Sequence, residues 1–146
     1  MAQISAQDVA NYFLLKASKD EELITNLKLQ KLIYYAQGLY IAMNNKPLFR
    51  ESIEAWTYGP VIPSLYHKYK IHGNQGIPAD DKFDPLKIVV EKRKFLDEIY
   101  QAFGQFSAFR LAQISHSDRC WKDTKTGAEI SHASMKRELQ KYIKNE

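Results

Sequence analysis

The sequence of 146 residues contains a single cysteine, Cys120, so no disulfide can form within the chain. A chain without disulfides is typical of a reducing compartment, and we expect a cytoplasmic protein. No apolar run approaches the roughly 18 residues that a membrane-spanning helix needs. The N-terminal segment also lacks the cationic start and apolar stretch of a signal peptide. These absences exclude a disulfide-stabilised scaffold and indicate that a membrane is not a partner.

Motifs for phosphate binding and for metal binding are lacking as well. There is neither a G-x-x-x-x-G-K loop nor a G-x-G-x-x-G loop, so nucleotide binding by these routes has no support. His116 and Cys120 lie close in sequence, but a structural zinc needs four ligands and the other histidines occur singly. A cysteine nucleophile with a histidine base stays open as an alternative, although no orienting group or oxyanion hole can be identified. We therefore expect no metal, no cofactor and no catalytic residue.

The length and composition are those of one globular domain. Hydrophobic residues make up 45% and charged residues 26% of the chain, which is enough apolar material for an independent core. We expect a single domain over residues 1–146. The net charge is +4, but basic and acidic side chains are mixed in every third of the sequence. A nucleic-acid-binding surface needs a patch or stripe of basic residues, so this mixture argues against such a partner.

Hydrophobic periodicity predicts a mainly α-helical domain of about six helices with one or two short β-strands. A capping box at Ser5 and Asp8 favours a first helix over about 5–18, and Thr25 or Asn26 favours a second that ends near Asn44. Alternation of apolar and polar residues predicts a strand over 52–58, with a second strand at the GIP stretch of 76–78. Further helices are predicted over about 63–71, over about 86–103, from Ser107 onward and over about 132–144.

The second predicted helix is apolar around most of its circumference, with a narrow polar strip formed by Lys28, Lys31 and Gln37. A helix of this kind is surrounded by other elements, so we expect it to lie at the centre of the domain. Gly38 within this helix indicates that another element approaches closely there. The last predicted helix has one basic face, which keeps phosphate contact open as an alternative function. That face consists of Lys136, Arg137, Lys141 and Lys144.

The stretch EAWTYGPVIPSLY, residues 54–66, places aromatic residues around Gly59 and Pro60. Because two-residue spacing in an extended segment points side chains the same way, we expect Trp56 and Tyr58 to share one face and the strand to end at Gly59. Together with Tyr66, these rings form what we call the aromatic ledge. The ledge either fills the core or anchors a partner, as aromatic side chains do at interface hot spots.

The stretch SHSDRCW, residues 115–121, predicts a helix end followed by a turn. A serine and Asp118 can end one helix, and Trp121 can pack back onto the core. In this interpretation His116 is a hydrogen-bonding anchor rather than a base. A role in partner binding is equally open.

Three segments share an order and spacing that resemble a known family. They are LKLQKLIYYAQGLYIAMNNKPLF (27–49), IEAWTYGPVIPSLY (53–66) and ISHSDRCW (114–121). Together they resemble the Panacea domain, the SocA-like antitoxin domain that also occurs in phage-associated GepA-type proteins. The resemblance implies a mainly helical domain that neutralises a cognate toxin by direct contact or delivers it to a ClpXP-type protease. It implies neither catalytic residues nor a cofactor.

The predicted partner-binding residues combine the aromatic ledge with positions that match the family pattern. The sequence identifies neither the toxin nor the oligomeric state, and it does not separate residues that touch a partner from residues that hold the fold. The predicted set consists of Gln30, Lys31, Trp56, Tyr58, Gly59, Pro60, Val61, Tyr66, His116 and Trp121.

Overall fold

The computed structural model describes residues 4–143, and their architecture confirms the mainly α-helical prediction. Seven helices and one two-stranded antiparallel sheet are present in this range. The helices are α1 Ala6–Lys19, α2 Asn26–Asn44, α3 Pro63–Tyr69, α4 Val90–Phe103, α5 Ala108–His116, α6 Arg119–Lys122 and α7 His132–Leu139. The strands are β1 Glu54–Trp56 and β2 Gly59–Val61, and short 3-10 turns cover Lys70–His72, Pro85–Lys87 and Gln140–Tyr142.

The predicted helix starts are confirmed where a side chain caps them. Ser5 and Asp8 form a reciprocal capping box, in which each side chain accepts a hydrogen bond of 3.1 Å from the other residue's backbone N–H. Thr25 and Ser107 cap α2 and α5. Helix α4 begins later than predicted because Pro85 opens a 3-10 turn instead. The last helix is shorter than predicted, and Lys144 lies outside the described residues.

Helix α2 lies at the centre of the fold, as predicted, with α1, α3, α4, α5, α7 and β2 packed around it. The predicted polar strip is wrong, because Lys31 and Gln37 are completely buried. Buried polar groups need hydrogen bonds, and the Gln37 amide accepts from the backbone N–H of Leu48 at 2.7 Å and donates to the carbonyl of Phe49 at 2.9 Å. The amine of Lys28 donates to the Gly104 carbonyl at 2.7 Å, beyond the end of α4. These side chains hold the surrounding chain segments against α2.

The close approach predicted at Gly38 is confirmed. The side chain of Leu139, at the end of α7, occupies the space that a Cβ atom at position 38 would need. A larger residue would therefore force the Leu139 side chain to shift. Gly38 allows the two helices to pack closely, which offsets its cost within a helix.

The aromatic segment forms a β-hairpin, which corrects the prediction of one strand ending at Gly59. Residue pairs across the hairpin are Glu54 with Val61, Ala55 with Pro60, and Trp56 with Gly59. Proline is compatible with β2 because this strand pairs on one side only, so that no donor is missing from a second ladder. Gly59 has φ of +114°, a conformation that side chains rarely adopt, and it allows the chain to reverse within two residues.

The hairpin is held from its outer edge by the segment 127–130, which follows α6. The N–H of Ala55 donates to the Ala128 carbonyl at 2.9 Å, and the N–H of Ile130 donates to the Ile53 carbonyl at 2.8 Å. The strand predicted at 76–78 is wrong in extent, because Ile77 makes only an isolated bridge with Ile24. Among residues 4–143, no helix combines the length and apolarity required to cross a bilayer.

Candidate partner-binding site

A surface groove of about 490 Å³ lies between the start of α2, the hairpin and α3. All three rings of the aromatic ledge line this groove, so they do not seal the interior of the domain. The hairpin alters their expected arrangement, because Tyr58 lies in the turn and is 71% exposed, while Trp56 and Tyr66 are half-buried. The lining residues are Thr25, Asn26, Leu27, Gln30, Lys31, Trp56, Tyr58, Val61, Tyr66, Lys70, Gly73, Asn74 and Ala108.

Internal contacts fix the two half-buried rings of the ledge. The indole N–H of Trp56 donates to Oε1 of Glu54 at 2.9 Å. The Trp56 ring meets the Tyr66 ring edge to face, with 5.1 Å between centroids, which is a favourable aromatic geometry. A partner that contacts Trp56 therefore meets a ring that is already ordered.

Gln30 links α2 to the end of the hairpin. Its carbonyl oxygen accepts from the N–H of Ile62 at 2.8 Å, and its amide donates to Oδ1 of Asn26 at 2.9 Å. Asn26 in turn donates to the Tyr66 carbonyl at 3.2 Å. Gln30 is fully buried, so in this structure its side chain positions the walls of the groove.

Lys31 lies on the inner side of the groove, behind Gly59 and Pro60. Its side chain is completely buried, and in the described part of the chain its amine donates to one acceptor, the Pro60 carbonyl at 3.3 Å. Burial disfavours the charged amine and lowers the pKa of Lys31 to about 7. A Cβ atom at Gly59 would lie 2.7 Å from Cε of Lys31, so the glycine also makes room for the lysine stem.

His116 and Trp121 lie behind the hairpin and are not among the groove-lining residues. The indole N–H of Trp121 donates to the backbone carbonyl of Trp56 at 2.8 Å, and the His116 ring stacks on Trp121 with 4.4 Å between centroids. Within residues 4–143, Nε2 of His116 is buried and has no hydrogen-bond partner. The hydrogen-bonding role predicted for His116 therefore has no support at this nitrogen, and the ring contributes by packing on Trp121. These two residues hold the hairpin in place.

Asp118 is the central residue of the third motif, a role that the sequence interpretation missed. Its Oδ2 accepts from the hydroxyls of Tyr34 and Tyr35 at 2.9 and 3.0 Å, and its Oδ1 accepts from Lys141 at 3.1 Å. Burial raises the pKa of Asp118 above its usual value, while these hydrogen bonds oppose the shift. The adjacent tyrosines on a helix buried all round were the available signal, because buried hydroxyls need a partner.

The Cys120 thiol has the properties of a core residue. It is buried, its Sγ lies 3.0 Å from the hydroxyl of Tyr34, and burial raises its pKa to about 11. A reactive cysteine needs the opposite shift, because the thiolate is the nucleophile. In the described range, no group of three or more residues that could hold a metal ion is found.

Two lysines of the predicted basic face form hydrogen bonds or ion pairs with other residues of the chain. Lys136 donates to Oδ1 of Asn45 at 2.9 Å, and Lys141 pairs with Asp118 and with Glu138. Phosphate contact by these two lysines would have to replace those bonds.

The described residues form a mainly helical domain with an aromatic-lined groove, and comparisons with known proteins give its family. The family model described as "Antitoxin SocA-like, Panacea domain" matches residues 29–122. The chain is 32% identical over 125 residues to Antitoxin SocA of Caulobacter vibrioides (strain NA1000 / CB15N), covering 78% of this chain and 66% of that protein. The chain therefore belongs to the SocA-like antitoxin, or Panacea domain, family, and it spans about two thirds of the length of this relative. No solved structure matches it.

Proposed function

We propose that this protein is an antitoxin whose groove binds a cognate toxin and holds it inactive. Membership of the SocA-like family supports a toxin as the partner. The observation that carries the proposal is the groove itself, in which the ordered ring of Trp56 and the exposed ring of Tyr58 face the same cavity. Its volume of about 490 Å³ is in the range of cavities that receive a compact ligand group. No catalytic function is part of this proposal.

The surface around the groove supports a macromolecular partner. Leu27 and Tyr58 both line the groove and are 36% and 71% exposed. Exposed large apolar side chains gathered around a cavity are typical of protein interaction sites. We therefore propose that the toxin inserts side chains into the groove and covers its apolar rim.

Substitution of the two rings tests this proposal. Trp56→Ala and Tyr58→Ala should each weaken toxin binding by about 2 kcal/mol, which is typical of an interface anchor. The partner for this assay is the product of the adjacent open reading frame, measured by calorimetry and by rescue of cells that express it. Leu86→Ala is the matched control, because Leu86 is 70% exposed but does not line the groove. Unchanged toxin binding by both groove variants, with folding intact, would contradict the proposal.

Direct neutralisation and delivery to a protease predict different results. With purified components, direct neutralisation should inhibit the toxin without any protease and should saturate at a fixed molar ratio. Inhibition that requires an added ClpXP-type protease would instead support an adaptor. We also propose that residues 1–146 fold as one domain in the cytoplasm, supported by the packing of the described elements around α2. A single cooperative unfolding transition would test the domain assignment.

A further inference from the structure

Lys31 has an unusual environment for a lysine. It is completely buried, yet the described residues give its amine a single acceptor, the Pro60 carbonyl, at the long distance of 3.3 Å. An ammonium group has three N–H donors, so most of its hydrogen-bonding capacity is unused. Buried charges in proteins are normally paired, and no carboxylate pairs with this one among residues 4–143.

The charge of the groove is one-sided. Its lining contains two lysines, Lys31 and Lys70, and no aspartate or glutamate among the described residues. The nearby carboxylate of Glu54 already accepts the indole N–H of Trp56. A partner group that enters the groove therefore meets the exposed amine of Lys70 and lies against the wall that holds the buried amine of Lys31, next to the apolar surfaces of Leu27 and Val61.

We propose that the groove recognises a toxin segment in which an aspartate or glutamate lies beside a large apolar side chain, with the carboxylate paired to the amine of Lys31. This inference rests on the proposed function and adds the chemistry of the bound segment. The apolar side chain packs against Trp56 and Tyr66. The flexible stem of Lys31 turns the amine away from the Pro60 carbonyl and toward the carboxylate.

This pairing explains why a buried amine with one long hydrogen bond lies beside a groove. Complementary charge at an interface favours the correct partner over others, because an apolar or basic side chain offers the amine no acceptor. Lys70 is exposed and its charge is screened by solvent, so it contributes less to the selection of the correct partner.

Two matched peptides test the proposal on the full chain. They are acetyl-Gly-Phe-Asp-Leu-Gly-amide and the same peptide with asparagine in place of aspartate, titrated while the NMR signal of the Trp56 indole N–H is followed. The aspartate peptide should bind about tenfold more tightly, which is the contribution of a hydrogen bond to a charged group. Lys31→Met should remove this preference and bring the affinities for the two peptides together, whereas Lys70→Met should keep most of the preference.

Several results would overturn the inference. These are equal affinity for the two peptides, no shift of the Trp56 signal with either peptide, or a preference that survives in Lys31→Met. Should Lys31→Met fail to fold, Lys70→Met still decides, because a preference for aspartate that is lost in Lys70→Met would come from the exposed lysine and would overturn the inference. The toxin assay separates this inference from the proposed function. If Trp56→Ala abolishes toxin binding and Lys31→Met does not, the groove binds the toxin but the carboxylate pairing is wrong.

Discussion

The indole N–H of Trp121 donates a hydrogen bond of 2.8 Å to the backbone carbonyl of Trp56. This bond joins the third sequence motif to the second, although the two residues lie 65 positions apart. Because Trp56 lies in β1 and lines the groove, the position of the groove wall depends on a residue outside the groove.

Trp121→Phe tests this dependence. The substitution keeps an aromatic ring that can stack on His116 but removes the donor, so the free energy of unfolding should fall by about 1 kcal/mol. Toxin affinity should also fall, since the hairpin is less firmly held. Chemical denaturation and calorimetry measure the two effects. An unchanged affinity in Trp121→Phe would show that the groove wall does not need this hydrogen bond.

Asp118→Asn should destabilise the fold by about 1–3 kcal/mol, because an amide cannot accept from two tyrosine hydroxyls and a lysine as a carboxylate does. Equilibrium denaturation gives the value. Asp123→Asn is the control, since Asp123 forms an exposed pair with Arg119 at 3.7 Å and should change stability little. Equal effects of the two substitutions would contradict a central role for Asp118.

Gly59→Ala should destabilise the protein by about 1–3 kcal/mol through its positive φ, with a further cost because the new methyl group meets the stem of Lys31. Gly127→Ala is a matched control for the backbone term, since Gly127 has φ of +88° and a methyl group there would meet no described atom within 4 Å. Thermal unfolding of both variants separates the cost of the positive φ from the cost of the contact between the new methyl group and Lys31. An equal or larger loss for Gly127→Ala would contradict an added cost from contact with Lys31.

The stability difference between wild type and Lys31→Met should depend on pH. The pKa of Lys31 is about 7 in the folded protein, below its ordinary value of 10.5, so the unfolded chain binds the extra proton throughout this interval. The contribution of Lys31 to the free energy of unfolding therefore rises with pH above 7, by up to about 1.4 kcal/mol per pH unit. This contribution is lowest at and below pH 7.

Lys31→Met should accordingly be more stable than wild type near pH 7, and its advantage should shrink by pH 8.5. Denaturation curves at several pH values measure this difference, in which the shifts of other groups cancel. A constant difference over the same interval would show that Lys31 keeps an ordinary pKa in the folded protein.

The helices were predictable because local signals determine them. The capping box at Ser5 and the buried circumference of α2 need no knowledge of the tertiary fold, and both are confirmed. The hairpin could not be predicted from local signals. Pro60 argues against a strand unless one edge of that strand is known to be unpaired. The sequence analysis consequently assigned Tyr58 to a strand, whereas it lies in the turn of the hairpin.

The candidate site was predictable in its aromatic residues but not in its supporting contacts. Proximity of Trp56 to Tyr66 follows from a short connection. The bond from Trp121, the three bonds to Asp118 and the isolation of the Lys31 amine all depend on chain segments far apart in sequence. Periodicity also assigned Lys31 and Gln37 to a polar strip of the second helix. It cannot show that a polar residue is buried when the hydrogen-bond partners of that residue are distant backbone groups.

The residues at the exposed turn of the hairpin differ from the residues that hold the hairpin in the fold. Thr57 and Tyr58 contact solvent at the tip, while Gln30, Trp121 and the segment 127–130 secure the hairpin from behind. Under the proposed function, replacements at the tip would therefore change which toxin is bound at almost no thermodynamic cost to the scaffold.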